Sequence, residues 1–445
     1  MISLATTTCR ICGSEAVRPH CTMPTLNPNN ADPVGFLQCD ECETIFDPAA
    51  GSFDYVDEAH DLDAVWPAFQ YYFEVLAGVN ILAKLVHLAQ SIVPPKQDRS
   101  PRSFMDIGGG TGITCEIANR LGWKSVNFEP CPAGYFGERM LDIKVVHEYL
   151  GKGMLPEHSF DAIVASEVIE HVPEPDEFLS LIANYLSVDG VAILTTPNSA
   201  PALHKSIGET DLDETYCPGI HVNLFSARSL EQVLRRNGFA DVRIITAEGT
   251  TGQKRLFALA CRREGLLPLD ARTLVDKDVI DKMCVDHLRW VLDTREQSDR
   301  RDSWYRGACF RLFEYYVNKG MFEEAEPYRE LIDAHLLERG LTNDVVPLIQ
   351  AANFFEFMRQ VPAYLGKYCY FRGIYELNFR HDAANARAYF HTAHHICAIQ
   401  ESVTSCPGQF SLLARFHEGL ALLSGGQQEE ALDVFEELEK KSPQL

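Results

Sequence analysis

Two glutamates and a histidine fall within five residues in the stretch SEVIEHVPEP, Ser166 to Pro175. Glu167 and Glu170 are three apart, and Glu167 and His171 four apart. A helical turn starting here would put all three on one face. Carboxylate and imidazole together can take a proton from a hydroxyl, or hold a divalent ion that lowers the hydroxyl's pKa. A second constellation is made of cysteines. Cys9 with Cys12 and Cys39 with Cys42 are two Cys-x-x-Cys pairs with 26 residues between them. Four thiolates so spaced can close a tetrahedral zinc site. A small module with few apolar residues needs such a staple. Cys21 lies between the pairs and is the spare; a redox pair is the alternative use of these thiols.

A third constellation is DIGGGTG, Asp106 to Gly112, after the apolar run SFMDI and before a helical pattern that reaches Leu121. Glycines at a strand-to-helix turn let the backbone approach a ligand closely. Position 113 is Ile, so the spacing is not the dinucleotide fingerprint G-x-G-x-x-G. Glu129 ends the next strand-like run, VNFE, 23 residues after Asp106, where an acid can accept hydrogen bonds from ribose hydroxyls. Further strands are expected at FDAIVA (160–165) and VAILT (191–195), with a helix around 178–186 between them. Strands alternating with helices imply a parallel, doubly wound α/β sheet. VRIIT (242–246) and LFALAC (256–261) flank GTTG, which suggests a closing antiparallel hairpin.

In combination, DIGGGTG (106–112), FEP (128–130), FDAIVASEVIEHVPEP (160–175) and LTTPN (194–198) resemble the class I S-adenosylmethionine-dependent methyltransferases. HVNLFSARSLEQVLRRNGF, His221 to Phe239, continues the resemblance in the style of the ubiquinone-biosynthesis O-methyltransferases. It covers roughly residues 70–263 and implies a Rossmann-like, seven-stranded sheet with the last strand antiparallel. It also implies that the loop of Asp106, Gly108, Gly110 and Gly112 cradles the methionine and ribose part of the cofactor. Glu129 would bind the ribose diol, Ser166 with Glu167 would lie beside the methionine end, and Glu148 in HEYL (147–150) would contact adenine. EVIEH with the later His221 is similar to the metal site of small-RNA 3′-terminal 2′-O-methyltransferases. That similarity implies a second divalent ion at Glu167, Glu170, His171 and His221. The ligand types do not choose among Mg, Mn, Fe, Co and Zn. The metal-free reading makes His171 the base and leaves His221 to order a substrate loop. The cysteine module is similar to the zinc ribbon ahead of the methyltransferase domain in bacterial sugar C-methyltransferases. Those enzymes usually end in a further α/β domain, whereas this chain ends in helices.

The 445 residues carry a net charge of −23, which argues against a nucleic-acid or anionic-membrane binder. Residues 1–70 alone hold eleven acidic residues against Arg10 and Arg18. No window reaches the roughly 20 apolar residues of a membrane span. The first ten residues show no basic and apolar leader pattern, so a cytoplasmic protein is expected. Three regions are expected: a zinc ribbon at 1–60, the methyltransferase domain at 61–263 and an all-α domain of helical hairpins at 270–445. In the first part of the middle region, Trp66, Phe69, Phe73, Leu76 and Val79 recur at helical spacing, with Tyr71 and Tyr72 as lid candidates. In the tail, GMFEEA (320–325) and GQQEEA (426–431), and ARAYF (386–390) and ALDVF (431–435), look like irregular tetratricopeptide-type hairpins. Such surfaces bind protein partners or other protomers. The aromatic run Tyr364 to Phe371 reads as core. The expected activity is O-methyl transfer to a sugar, glycan intermediate or other small hydroxylated acceptor. The alternatives are a sugar C-methyltransferase, a metal-dependent RNA 2′-O-methyltransferase and a non-catalytic adaptor.

Overall fold

The computed structural model describes residues 8–26, 32–49, 70–75, 79–203, 213–246, 255–295, 303–341, 346, 349–404 and 410–441. The chain divides into two compact units, Met1–Leu62 with Val79–Met283, and Asp63–Gly78 with Cys284–Leu445. Strands among the described residues are β1 (Val17–Met23), β2 (Val34–Cys39), β3 (Ile45–Phe46), β4 (Arg102–Ile107), β5 (Trp123–Phe128), β6 (Val145–Val146), β7 (Phe160–Ser166), β8 (Leu186–Pro197), β9 (Asn223–Leu224), β10 (Asp241–Thr246) and β11 (Arg255–Cys261).

Seven of them form one sheet in the order β10-β11-β8-β7-β4-β5-β6. The run from β8 to β6 is parallel, and β11 is antiparallel to both of its neighbours. This is the expected seven-stranded sheet with its closing hairpin. Its inner strands show no polar alternation because both faces are covered. From Ala162 to Ala165 in β7 no residue is more than 1% exposed. β5 lies on one side of β4 and β7 on the other, so a crevice opens at the carboxyl ends of β4 and β7.

The other sheet is antiparallel, β1-β2-β3-β9. Its first three strands belong to the cysteine-rich segment, and its fourth comes from the chain 177 residues after the end of β3. The two Cys-x-x-Cys turns have one backbone design. Gly13 N–H donates to the Cys9 carbonyl and Glu43 N–H to the Cys39 carbonyl, at 2.9 and 3.0 Å. Phe36, Ile45, Tyr216 and Leu224 share a small core beneath this sheet.

The second unit is helical: Ser303–Asn318, Phe322–Glu338, Phe354–Gln360, Leu365–Tyr375, Ala383–Thr404, Phe410–Ser424 and Gln428–Lys441. Residues 70–75, also helical, belong with it. Phe73 stacks on Trp304 with centroids 4.5 Å apart. Glu74 is buried and accepts from Arg306 Nη2 at 2.9 Å and from the Ala363 N–H at 2.6 Å. The sequence reading assigned this segment to the middle domain. Helical periodicity shows that a face is buried, not what covers it. Trp66, Phe69 and Leu76 lie outside the described residues. The run Tyr364 to Phe371 packs in the core of this unit, with Tyr364, Leu365 and Tyr368 fully buried.

Both hairpin motifs of the tail turn alike. Gly320 and Gly426 adopt φ of 71° and 79°. The residue after each donates to the carbonyl five positions back, Met321 to Tyr316 and Gln427 to Leu422. This is a Schellman-type helix end. Ala325 and Ala431 are buried just beyond it. A deeper repeat links Gly373 to Phe390 and Gly419 to Phe435. A Cβ on either glycine would meet the phenylalanine ring at 2.6 Å. The first pair is one residue further apart in sequence than the second. That extra residue is absorbed where the helix widens into a π-turn, Glu376–Arg380. Gly419→Ala is expected to destabilise the protein by about 1–2 kcal/mol, because overpacking against Phe435 outweighs the gain in helix propensity. Denaturant unfolding tests this; an unchanged midpoint would mean the ring moves aside at no cost.

No helix of the described residues is long and apolar enough to cross a membrane.

Candidate active site

β4 stops at Ile107 and the helix Ile113–Arg120 starts just past the glycine loop. Gly108 and Gly112 adopt φ of 66° and 75°. A Cβ would lie 2.7 Å from Val168 Cγ2 at the first position and 2.0 Å from Ile143 Cδ1 at the second. Both the backbone and the space therefore require glycine. The loop is tied to β5. Gly109 N–H donates to Asn127 Oδ1 at 3.2 Å, and Asn127 Nδ2 donates to the Gly110 carbonyl at 3.0 Å. Glu129 accepts the Gly110 N–H at 2.8 Å on one oxygen and the Cys131 N–H at 2.9 Å on the other. Asp106 is buried, and both its carboxylate oxygens lack a hydrogen-bond partner. Burial pushes this carboxyl up to about 7, and the Glu129 charge adds to the shift. Asp106 is beneath the loop and off the cleft wall, so its charge would act on a ligand's ammonium group through the loop. Glu129 stands on the wall and fits a diol, and the expected cofactor carries both groups.

A pH dependence follows. Asp106 titrates near 7 in the free protein, and a cationic ligand group favours its ionised form. Binding should therefore release a proton below pH 7. Affinity for S-adenosylhomocysteine should rise with pH, by up to about tenfold per unit, and level off above that value. Calorimetry in buffers of different ionisation enthalpy checks this; proton uptake on binding would contradict it.

A cleft of about 710 Å³ opens beside the loop, with Glu129, Tyr149, Leu150, Glu167, His171 and Phe178 on its wall. Glu148 is exposed and off the wall; its neighbours Tyr149 and Leu150 line it instead. Ser166, at the end of β7, is bonded to Thr195 Oγ1 at 2.8 Å and is also off the wall.

The three side chains of SEVIEH do not share one helical face. Glu167 takes a left-handed φ of 56°, and only a single 3₁₀ turn follows, Ile169–His171. Glu167 is thereby turned to Arg255, which reaches it at 2.9 and 3.3 Å, and to Thr195, which donates to it at 2.7 Å. Glu170 goes inward and is fully buried. One of its oxygens accepts from Thr196 Oγ1 at 3.0 Å, and the other, Oε1, has no donor. Burial first, and then the Glu167 charge, raise its carboxyl well above the usual range. His171 Nε2 lies 4.0 Å from that same Oε1. His221 stands edge-on to His171, with ring centroids 4.7 Å apart. The metal-binding atoms of Glu170, His171 and His221 lie within 4.8 Å of one another; Glu167 is not in this group.

The tautomers follow from the partners. His171 Nδ1 faces the Ile220 carbonyl at 3.3 Å, and His221 Nδ1 faces the Thr215 carbonyl at 2.9 Å. A carbonyl only accepts, so each Nδ1 carries the hydrogen and each Nε2 presents a lone pair. Burial, reinforced by His221, pushes His171 down to about 4.

His221 is held from two sides. On one, the Val222 N–H donates to the Glu170 carbonyl at 2.8 Å. On the other stands the cysteine module. Asp47 N–H donates to the Val222 carbonyl at 3.1 Å and Leu26 N–H to the Pro218 carbonyl at 2.7 Å. His20 Nε2 and Tyr216 Oη are 2.6 Å apart, and Ser226 Oγ donates to the Cys42 carbonyl at 2.9 Å. The four sulfurs of Cys9, Cys12, Cys39 and Cys42 lie within 4.8 Å of one another, with Cys9–Cys42 and Cys12–Cys39 both at 3.5 Å. A zinc tetrahedron with bonds of about 2.3 Å has edges of about 3.8 Å, so the donor set fits zinc. The hydrogen bond from Cys9 brings the Cys42 thiol down to about 5, a start on the thiolate that a metal needs. Cys21 is outside the cluster. Sequence reasoning missed Thr195, Thr196 and Arg255. The threonines were visible as the polar end of the apolar run VAILTTP. Arg255 gave no signal.

Residues 80–244 match the family model described as a methyltransferase domain. The chain is 30% identical over 116 residues to the ubiquinone biosynthesis O-methyltransferase of Rhodopseudomonas palustris, an alignment that covers 23% of this chain and 46% of that one. It is 26% identical over 168 residues to the mitochondrial ubiquinone biosynthesis O-methyltransferase of Homo sapiens, covering 33% and 45%. It thus spans about half the length of the curated relatives it matches. A solved SAM-dependent methyltransferase from Thermotoga maritima superposes with a TM-score of 0.34 at 18% identity, covering 45% of this chain and 99% of that one. The segment that builds the cleft thus lies within residues 80–244, the part of the chain that is similar to a methyltransferase domain.

Proposed function

We propose that the chain transfers the methyl group of S-adenosylmethionine to a hydroxyl of a small or glycan acceptor, beside a divalent ion held by Glu170, His171 and His221. One observation carries the metal reading. Two imidazoles anchored through Nδ1 face a buried carboxylate oxygen that has no donor. Metal-bound histidines are typically oriented by such second partners. The rival, His171 as a metal-free base, is disfavoured by its strength. A group that titrates near 4 is a poor acceptor for a hydroxyl proton at neutral pH. A bound divalent ion would supply what the base lacks, a lowered pKa for the acceptor hydroxyl.

The chain's own residues do the rest. Asp106 and Glu129 hold the cofactor by its cationic and diol groups, and the glycine loop lets it lie against the backbone. Arg255 neutralises Glu167 and keeps it from repelling Glu170 more strongly. Alignment of hydroxyl, methyl carbon and sulfur supplies the main rate advantage of an in-line displacement. Among the described residues, the cleft is lined by Glu129, Glu167, Glu174 and Glu177 and by no lysine or arginine. That supports a neutral acceptor over a polyanion such as RNA.

The zinc ribbon is structural in this reading. The Gly-to-Phe register of the tail supports a tetratricopeptide-like array that docks a protein or a second copy of the chain. An adaptor without catalysis is the contrasting class, and the intact Asp106, glycine loop and Glu129 count against it. Calorimetric titration of zinc-loaded protein with S-adenosylhomocysteine separates the two. Saturable binding is expected; a folded sample that binds none would defeat the enzyme reading.

A further inference from the structure

We propose that the helical unit holds a second ligand site, for a small molecule with a phosphate or carboxylate headgroup on an apolar body. A groove of about 580 Å³ is lined by Gln70, Arg306, Arg339, Phe355, Met358 and Arg359. Among the described residues, three guanidiniums and no acid line it, in a chain whose net charge is −23. Behind it lies a cavity of about 60 Å³, whose wall includes Arg306, His335, Glu338 and Tyr364. Arg306 is common to both, so the two spaces adjoin at its side chain.

The charges do not cancel. Glu74 is fully buried and pairs with Arg306 at 2.9 Å, which answers one guanidinium. Glu338 is exposed at the rim of the small cavity. Among the described residues, Arg339 reaches the carbonyls of Arg359 and Gln360, each at 3.5 Å, long for a hydrogen bond. Two buried polar atoms of the small cavity have no partner, the Tyr364 hydroxyl and His335 Nε2. Tyr364 is fully buried, so water in bulk does not satisfy it. Burial and the neighbouring Arg306 and Arg339 charges push His335 down to about 3, which keeps a second positive charge off the wall of the small cavity. A planar or tetrahedral oxyanion would complete this set, accepting from the arginine forks and from the tyrosine hydroxyl. Phe355, more than half exposed, and Met358 offer an apolar surface for the body of the ligand. All residues lining the groove belong to the helical unit, and none of them lines the methyl-transfer cleft. The site would therefore serve an effector or a carrier group rather than the reacting atoms.

Phenyl phosphate, benzoate and phenol are the probes, each titrated calorimetrically into the zinc-loaded full chain at millimolar concentration. Saturable binding of phenyl phosphate or benzoate, and none of phenol, is the expected result; the tighter of the two names the headgroup. The double variant Arg339→Gln/Arg359→Gln should weaken that binding by about tenfold or more while S-adenosylhomocysteine binding is unchanged. Tyr364→Phe, which removes only the hydroxyl, should weaken it separately and serves if the double variant does not fold. Binding of neither anion to the wild type, equal binding of phenol, or affinities unchanged in the variants would each overturn the proposal.

Discussion

Glu170→Ala, and separately His221→Ala, should cut methyl transfer by roughly 100-fold or more, while affinity for S-adenosylhomocysteine shifts by less than about threefold. The asymmetry comes from position. Glu170 and His221 sit in the ligand cluster and are not on the cleft wall. Asp106, Glu129 and the glycine loop, which meet the cofactor in the proposed reading, are untouched by either change. Cobalt(II) added to protein whose cysteine site is already filled with zinc gives a readout that needs no acceptor. A carboxylate with two imidazoles shows visible d–d bands without the intense thiolate charge-transfer bands of a four-cysteine site. Both variants should lose that spectrum. Glu170→Gln keeps the volume and the Thr196 hydrogen bond, so it separates loss of a ligand from loss of packing. Transfer and cobalt binding undiminished in these variants would sink the metal reading.

The second large effect is expected from the ribbon. Cys39→Ser, or removal of zinc by a chelator, should lower the melting temperature by roughly 10 °C or more, because four-thiolate zinc sites contribute a large share of folding free energy. The damage should be uneven. Amide exchange should rise first in β1 to β3 and in residues 213–226, which hang on Asp47, His20, Leu26 and Cys42. The glycine loop is tied to β5 instead and should keep its protection. Cobalt binding at the second site should fail along with the ribbon, since His221 lies in the loosened segment. Protection of 213–226 unchanged in the zinc-free protein would show that the segment stands without the ribbon.

The parts of this architecture that could be read from the sequence are those set by local rules. β7 and the stretch Val191 to Leu194 of β8 are near-continuous apolar runs because both faces are covered, and the glycines follow β4 where the chain must turn under a ligand. The hairpin β10–β11 was marked by GTTG between two such runs. What escaped depends on distant partners or on a single dihedral. Spacing put Glu167 beside His171, but the left-handed φ at Glu167 turns it to Arg255, 88 residues away. The cysteine spacing announced a four-thiolate cluster, yet nothing in it said that β3 would pair with Asn223 and Leu224. Phe73 advertised a buried face and not its partner Trp304.

The pairing of β3 with β9 has a consequence for how such a chain can be inherited or redesigned. Beads on a string can be exchanged one at a time; this ribbon cannot. Its last strand lends its outer edge to a loop that the methyltransferase domain must supply, and that loop bears a histidine of the proposed centre. The unit of exchange is therefore discontinuous: residues 8–49 together with 213–226. A chimera that takes a relative's first fifty residues without the matching loop should fold its sheet and its knuckles, and leave the reactive corner misaligned.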